Sequence, residues 1–191
     1  MDQEPTEAYE HTEHAQHAQH AAHSGNSFLS KVAVSIAVLA VLAAGAGSLE
    51  TIESGAATAA RSQAVLFQNK ATDNWNFFQA KSLKKTMEEI AATQGGTAAA
   101  DWQARAKGNE AEGQEIAKAA KDFETRSDQS IEQAEIHEER HHFLTIAATL
   151  LHIAIAIATI AIITGGQRWP WYASLALGLL GTTVAAAAYV G

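Results

Sequence analysis

Residues 143–164 read FLTIAATLLHIAIAIATIAIIT and contain no Asp, Glu, Lys or Arg. At about 1.5 Å per residue, a helix of this length crosses roughly the 30 Å hydrocarbon core of a bilayer. The stretch therefore predicts a transmembrane helix. Its only ionisable side chain, His152, falls near the middle of the predicted span.

This span also predicts an intramembrane polar face, because its polar side chains recur at steps of four, three and seven residues. A lipid-facing imidazole has no hydrogen-bonding partner, so we expect the face to turn toward other helices or a subunit interface. Two interpretations stay open: hydroxyls that bond to their own helix, or a titratable constriction shared by several copies. The residues of the face are Thr145, Thr149, His152 and Thr159.

Charge is distributed unevenly along the 191-residue chain, whose formal net charge is −8. From Phe143 to the C-terminus there is no Asp or Glu, and Arg168 is the only basic residue apart from histidine. Because contacts to phosphates need clustered Lys and Arg, we expect no nucleic-acid partner. The chain has no cysteine, which excludes disulfides and thiolate metal sites.

Two further apolar segments predict membrane spans. Residues 28–49 contain one charged side chain, Lys31, and residues 171–190 contain none and follow a turn at 165–170. The small residues at 44–46 resemble a signal-peptide cleavage site, but the long acidic region before them favours a membrane helix. Gly178 and Gly181 belong to small-residue ladders typical of close helix packing, so we expect a helix or oligomer contact there.

Residues 50–142 are hydrophilic, rich in helix-forming residues and free of proline. The sequence QGGT at 94–97 is the best break, which predicts an antiparallel helical hairpin. Because the predicted seam is rich in Ala, it buries little area, and we expect association with other copies to supplement it. Trp75 and Phe78 are interpreted as hairpin core or as a partner or oligomer contact, with a ligand-binding site as the alternative. An apolar face continues through Leu83, Met87 and Ile90.

These segments together predict an all-α integral membrane protein with three transmembrane helices and a long antiparallel hairpin between the first and second. The predicted order is a His-rich flexible tail (1–27), a transmembrane helix (28–49), the hydrophilic hairpin domain (50–142), a transmembrane helix (143–164), a turn (165–170) and a transmembrane helix (171–190).

The N-terminal tail has one regularity, a histidine at every third position of a short run. Neighbouring imidazoles at this spacing can jointly bind a divalent transition metal, although a low-complexity polar tail without a metal-binding role explains the run equally simply. The histidines are His11, His14, His17, His20 and His23.

Residues 137–141 read HEERH and match the His-Glu-x-x-His pattern of zinc peptidases. A peptidase site also needs a third ligand, and no carboxylate follows this motif in the chain. We therefore expect no enzyme. A structural or regulatory metal site at His137, His141 and His142 stays open beside the simpler interpretation of a solvated cluster at the membrane boundary.

Two stretches, ATDNWNFFQAKSLK (71–84) and LLHIAIAIATIAIIT followed by RWPWYASLALG (150–178), resemble an uncharacterised family of bacterial inner-membrane proteins, domain of unknown function 4337. The resemblance implies three spans with a helical insert between the first two, and it implies no activity. The basic second turn typical of that family also implies a cytoplasmic N-terminus and a periplasmic helical domain in a multi-pass protein of the inner membrane.

The function that the sequence favours is a non-enzymatic, homo-oligomeric membrane scaffold, embedded in the lipid bilayer, whose hairpin binds a protein partner. The alternative is a pH- or metal-responsive oligomeric channel that uses His152 and the threonines of the polar face.

Overall fold

The computed structural model describes residues 27–190, which form three α-helices and no strand. We number them α1 (Ser27–Thr93), α2 (Ala99–Ile163) and α3 (Arg168–Ala187). All three are long and apolar enough to cross a membrane. The predicted all-helical class is confirmed, and it follows from a sequence rich in Ala, Leu and Glu with no proline inside α1 or α2.

Paired glycines make both turns between the helices. Gly95 and Gly96 have φ of 77° and 94°, and Gly165 and Gly166 have φ of 71° and 100°. These left-handed conformations are free of steric cost only for glycine. The break predicted at 94–97 is therefore confirmed.

The described residues pack as two units. Unit 1 contains residues 27–55 and 137–190, and unit 2 contains residues 56–136. In unit 1, side chains from α1 and α2 form an apolar core against which Trp171 and Leu177 of α3 pack. The core side chains larger than alanine are Val32, Ile36, Leu39, Leu151 and Ile155.

Glycines bring α3 close to the other two helices of unit 1. A Cβ atom at Gly178 would overlap the Leu39 side chain, and one at Gly181 would lie 3.0 Å from Cγ of Leu151 and 3.1 Å from the carbonyl oxygen of Ala147. Small residues permit such close approach of apolar helices. Both glycines are buried by their own chain, so this packing is intramolecular and does not support a role at an oligomer contact. That role stays a prediction.

Polar pairs hold the two arms of unit 2 in register. The Ser127 hydroxyl donates to the carbonyl oxygen of Ala64 at 3.0 Å, and Lys85 Nζ lies 2.8 Å from a carboxylate oxygen of Glu110. Residue numbers rise along one arm as they fall along the other, so the arms of this unit run antiparallel. The buried Asn109 amide donates to Glu88 Oε2 at 2.7 Å, which satisfies two polar groups inside the seam.

Trp75 and Phe78 pack within unit 2. Their rings meet edge to face with centroids 5.6 Å apart, and Trp75 Nε1 donates to Glu124 Oε1 at 2.8 Å. Both side chains are half-buried, which supports the hairpin-core interpretation. Their use as a partner contact stays a prediction.

We predict that Gly181→Leu destabilises unit 1, because the new side chain meets the carbonyl oxygen of Ala147 and the Leu151 side chain. Overpacking of this kind costs about 1–3 kcal/mol. The measurement is the thermal unfolding midpoint of the purified protein in detergent.

Gly45→Leu is the matched control, since nothing lies within 4 Å of a Cβ at Gly45 and leucine forms helix better than glycine. Equal midpoints for the two variants would contradict the packing described for α3.

Candidate functional site

A cluster of carboxylates and imidazoles lies in unit 1, just beyond the apolar segments of α1 and α2. Glu50 and Glu53 stand three residues apart on α1 and share a face, as do His137 and His141 four residues apart on α2. Glu53 is only 6% exposed. A carboxylate this buried requires compensating hydrogen bonds or charges.

Both oxygens of the Glu53 carboxylate are occupied. Its Oε2 lies 2.6 Å from Nδ1 of His137, and the Tyr189 hydroxyl donates to its Oε1 at 2.9 Å. When the carboxylate is ionised, it only accepts hydrogen bonds, so His137 must carry a proton on Nδ1. Glu53 thereby joins α1, α2 and the turn that follows α3.

A cation completes this network. The Arg140 guanidinium lies 5.3 Å from the centroid of the Tyr189 ring, a distance typical of a cation–π contact. The guanidinium also adds positive charge near the Glu53 carboxylate.

The second carboxylate, Glu50, has a looser environment. Thr145 Oγ1 lies 2.6 Å from Glu50 Oε1 and 3.0 Å from the carbonyl oxygen of His141, so its single proton is donated to one of them at a time. His141 Nδ1 is buried without a hydrogen bond, 4.0 Å from Glu50 Oε1. That separation is too long for a hydrogen bond, and it becomes an ion pair only when the imidazole is protonated.

The environment of Glu53 favours its ionised form. Burial raises the pKa of Glu53, but the hydrogen bonds from His137 and Tyr189, together with the charges of His137 and Arg140, outweigh burial and lower the pKa below its ordinary value of 4.5. With both oxygens occupied, the carboxylate is poorly placed to act as a base or a metal ligand. It acts as a fixed anion that clamps three parts of unit 1 together.

The histidines predicted to bind a metal are not gathered into one site. His137 pairs with Glu53, His141 faces Glu50, and His142 is exposed. Within residues 27–190, no group of three or more His, Asp or Glu side chains is positioned to hold a metal ion. The predicted metal site therefore has no supporting geometry in this part of the chain. The histidines predicted at positions 11 to 23 lie outside the described residues.

The predicted polar face lies at the surface of unit 1 rather than in its core. Thr145, Thr149 and His152 are exposed and Thr159 is half-buried. Thr149 and Thr159 donate to carbonyl oxygens four residues earlier in α2, at 2.8 and 3.0 Å. Burial of this polar face in a subunit interface stays a prediction. His152 lines a groove of about 420 Å³ with Ala43, Ala44, Gly47, Ser48, Glu50, Thr51 and Ala148.

Sequence reasoning missed the acidic half of the cluster. The signal that could have found it is the position of the turn at 94–98. In a hairpin, residues equally far from the turn along the chain lie opposite each other, which places Glu50 and Glu53 near the region of His137 and His141. The sequence contains no comparable signal for the contact between Tyr189 and Glu53, because the position of Tyr189 depends on how α3 packs.

The family model described as a domain of unknown function (DUF4337) matches residues 28–191, which include all three helices. No curated protein and no solved structure matches this chain.

We predict that Glu53→Gln lowers the thermal midpoint at neutral pH, because hydrogen bonds to a charged group contribute about 1.5–3 kcal/mol each. The folded-state pKa of Glu53 lies below 4.5, so the ionised carboxylate stabilises the fold above that pH. This contribution disappears as the pH falls through the lowered value. The gap between wild type and variant should therefore close in acid, measured by thermal unfolding in detergent across this range.

Glu139→Gln, at an exposed carboxylate of α2 two residues from His137, should leave the midpoint unchanged at neutral pH. A gap between wild type and Glu53→Gln that stays constant as the pH falls well below 4.5 would contradict the role given to this carboxylate.

Proposed function

We propose that this chain, which belongs to the DUF4337 family of proteins with a domain of unknown function, is a non-enzymatic membrane scaffold that assembles from several copies. Membrane insertion is supported by three helices that are long and apolar enough to span a bilayer. It is also supported by unit 1, where the four carboxylates all lie at 50–53 or 138–139, outside the apolar segments.

One observation carries the scaffold proposal, an apolar stripe on unit 2 formed by Leu83, Met87 and Ile90. These side chains are 64%, 63% and 56% exposed. Their spacing of four and three residues places them on one helical face in the pattern of a coiled-coil seam. Burying each side chain fully would contribute about 1.5–3 kcal/mol.

The occupant that we assign to this stripe is the hairpin of a second copy. Among the apolar side chains of unit 2, only alanines are fully buried, so its intramolecular seam is thin, while the large aliphatic side chains of the stripe stay exposed. A symmetric pair of hairpins would cover both stripes with the same surface. The buried alanines are Ala57, Ala60, Ala64, Ala71, Ala106, Ala120 and Ala134.

The proposed location is the bacterial inner membrane, with a cytoplasmic N-terminus and a periplasmic hairpin domain. Lys31 and Arg168 support this orientation, because each lies in the first turns of a span and basic residues are enriched on the cytoplasmic side. The assembled hairpins would then present a surface to a protein partner in the periplasm.

We predict that copies cross-link through position 87. The chain has no cysteine, so Met87→Cys introduces a single thiol. Oxidation of membranes containing this variant should give a disulfide-linked dimer, detected by electrophoresis, because the stripe of one copy faces the stripe of another.

Lys118→Cys is the control, since residue 118 is exposed on the other arm of unit 2. Equal dimer yields at the two positions would contradict the proposed interface. A disulfide-linked product whose mass differs from that of the dimer would show that the stripe contacts a different protein, and it would contradict self-association.

A second function, a pH- or metal-responsive channel, is favoured by the exposed polar face of unit 1. Thr145, Thr149 and His152 would line a path if several copies arranged this face around an axis. An imidazole changes charge near neutral pH, which provides a means of gating.

The channel function predicts pH-dependent ion flux into liposomes that contain the purified protein. His152→Gln should abolish the pH dependence, whereas His142→Gln, at an exposed histidine of the same helix, should retain it. An absence of flux from wild type and both variants would eliminate this function.

A further inference from the structure

The two ends of unit 1 differ in charge. Its four carboxylates lie at 50–53 and 138–139, while Lys31 and Arg168 lie where α1 and α3 begin. Among residues 27–190, no carboxylate pairs with either of these two cations. This end of unit 1 therefore carries positive charge that no described part of the protein neutralises.

Aromatic contacts fix the side chains at the basic end. The rings of Phe28 and Trp171 meet edge to face at 5.6 Å, and the Arg168 guanidinium lies 5.8 Å from the centroid of the Phe28 ring. Trp171 Nε1 donates to the Ser35 hydroxyl at 3.1 Å. These contacts hold Trp171 against α1 and keep Arg168 at the edge of the aromatic pair.

A pocket of about 410 Å³ opens beside these rings. Its walls include the Val34 side chain and the Trp171 ring, and Lys31 is also part of its lining. A pocket that combines apolar walls with an ammonium group suits a molecule that has an anionic head and a hydrocarbon tail. The lining residues are Ser30, Lys31, Val34, Ser35 and Trp171.

A helix terminus strengthens the preference for an anion. α3 begins at this end of unit 1, so the positive end of its helix dipole adds to the two basic side chains. The residue before α3, Gln167, makes no side-chain capping bond to the α3 backbone. The backbone N–H groups in the first turn of α3 can consequently join the basic side chains in binding an anion.

We propose that this pocket binds a phospholipid with an anionic headgroup, which Lys31 and Arg168 attract, while an acyl chain packs against Val34 and Trp171. The lipid site rests on the membrane insertion assigned under the proposed function. The apolar walls favour a lipid over free phosphate, because phosphate alone has no group to fill them. Anionic lipids of the cytoplasmic leaflet attract basic residues at the membrane surface, which agrees with the orientation proposed for Lys31 and Arg168.

Native mass spectrometry of the full chain in detergent tests the site with phosphatidylglycerol, which is anionic, and phosphatidylcholine, which is zwitterionic. Phosphatidylglycerol should bind more tightly. Lys31→Gln and Arg168→Gln should each weaken its binding about fivefold, the factor that corresponds to about 1 kcal/mol per basic residue at a membrane surface. Lys118→Gln should have no effect, and Lys31→Arg should retain binding.

Three results would overturn the lipid site. The first is equal binding of the two lipids, and the second is unchanged phosphatidylglycerol binding in the double variant that combines Lys31→Gln with Arg168→Gln. The third is displacement of phosphatidylglycerol by an equal concentration of inorganic phosphate, which would assign the site to free phosphate. If the double variant does not fold, the salt dependence of the wild type decides. Binding that is unaffected by added salt would overturn the site, because exposed charges are screened.

The same spectra separate this inference from the proposed scaffold. A monomer that still prefers phosphatidylglycerol would refute the scaffold and retain the lipid site. An oligomer that binds both lipids equally would refute only the lipid site.

Discussion

In the membrane-inserted state that we propose for unit 1, backbone hydrogen bonding is the constraint on which the structure depends. A segment that leaves water for hydrocarbon must satisfy its own N–H and C=O groups, and a helix does so without help from other segments. The apolar stretches of α1, α2 and α3 meet this requirement, and their side chains need only close packing. Gly178 and Gly181 provide that packing by bringing the backbone of α3 against its neighbours.

The charged groups of unit 1 follow from the same constraint, because they lie at the ends of the apolar stretches or beyond them. At one end, Glu53 is buried and engages His137 and Tyr189, so an otherwise costly carboxylate becomes a clamp between helices. At the other end, no described carboxylate pairs with Lys31 or Arg168, and the Arg168 guanidinium lies 5.8 Å from the centroid of the Phe28 ring. The Glu53 carboxylate is thus satisfied within the chain, while the second end is where we propose the anionic lipid site.

Much of this architecture is predictable from local sequence. Uncharged stretches predict the apolar helices, and the Gly-Gly pairs mark the turns, because both signals depend only on neighbouring residues. Individual side-chain contacts are different, because hairpin register places two regions opposite each other without specifying which side chains meet. The partnership of Glu53 with His137 joins residues far apart in the chain, and the motif HEERH points to a metal when the structure instead pairs its first histidine with a carboxylate. Leu83, Met87 and Ile90 are recognisable as one helical face, but only packing reveals that their own chain leaves them exposed.

The central claim is that residues 28–49, 143–164 and 171–190 lie within a lipid bilayer. Flotation tests it most directly: the full chain is mixed with liposomes, detergent is removed, the vesicles are washed with alkaline carbonate, and the mixture is centrifuged through a density gradient. Insertion predicts that the protein rises with the vesicles after the wash. Protein that stays soluble at the bottom of the gradient without detergent would contradict membrane insertion and the functions built on it.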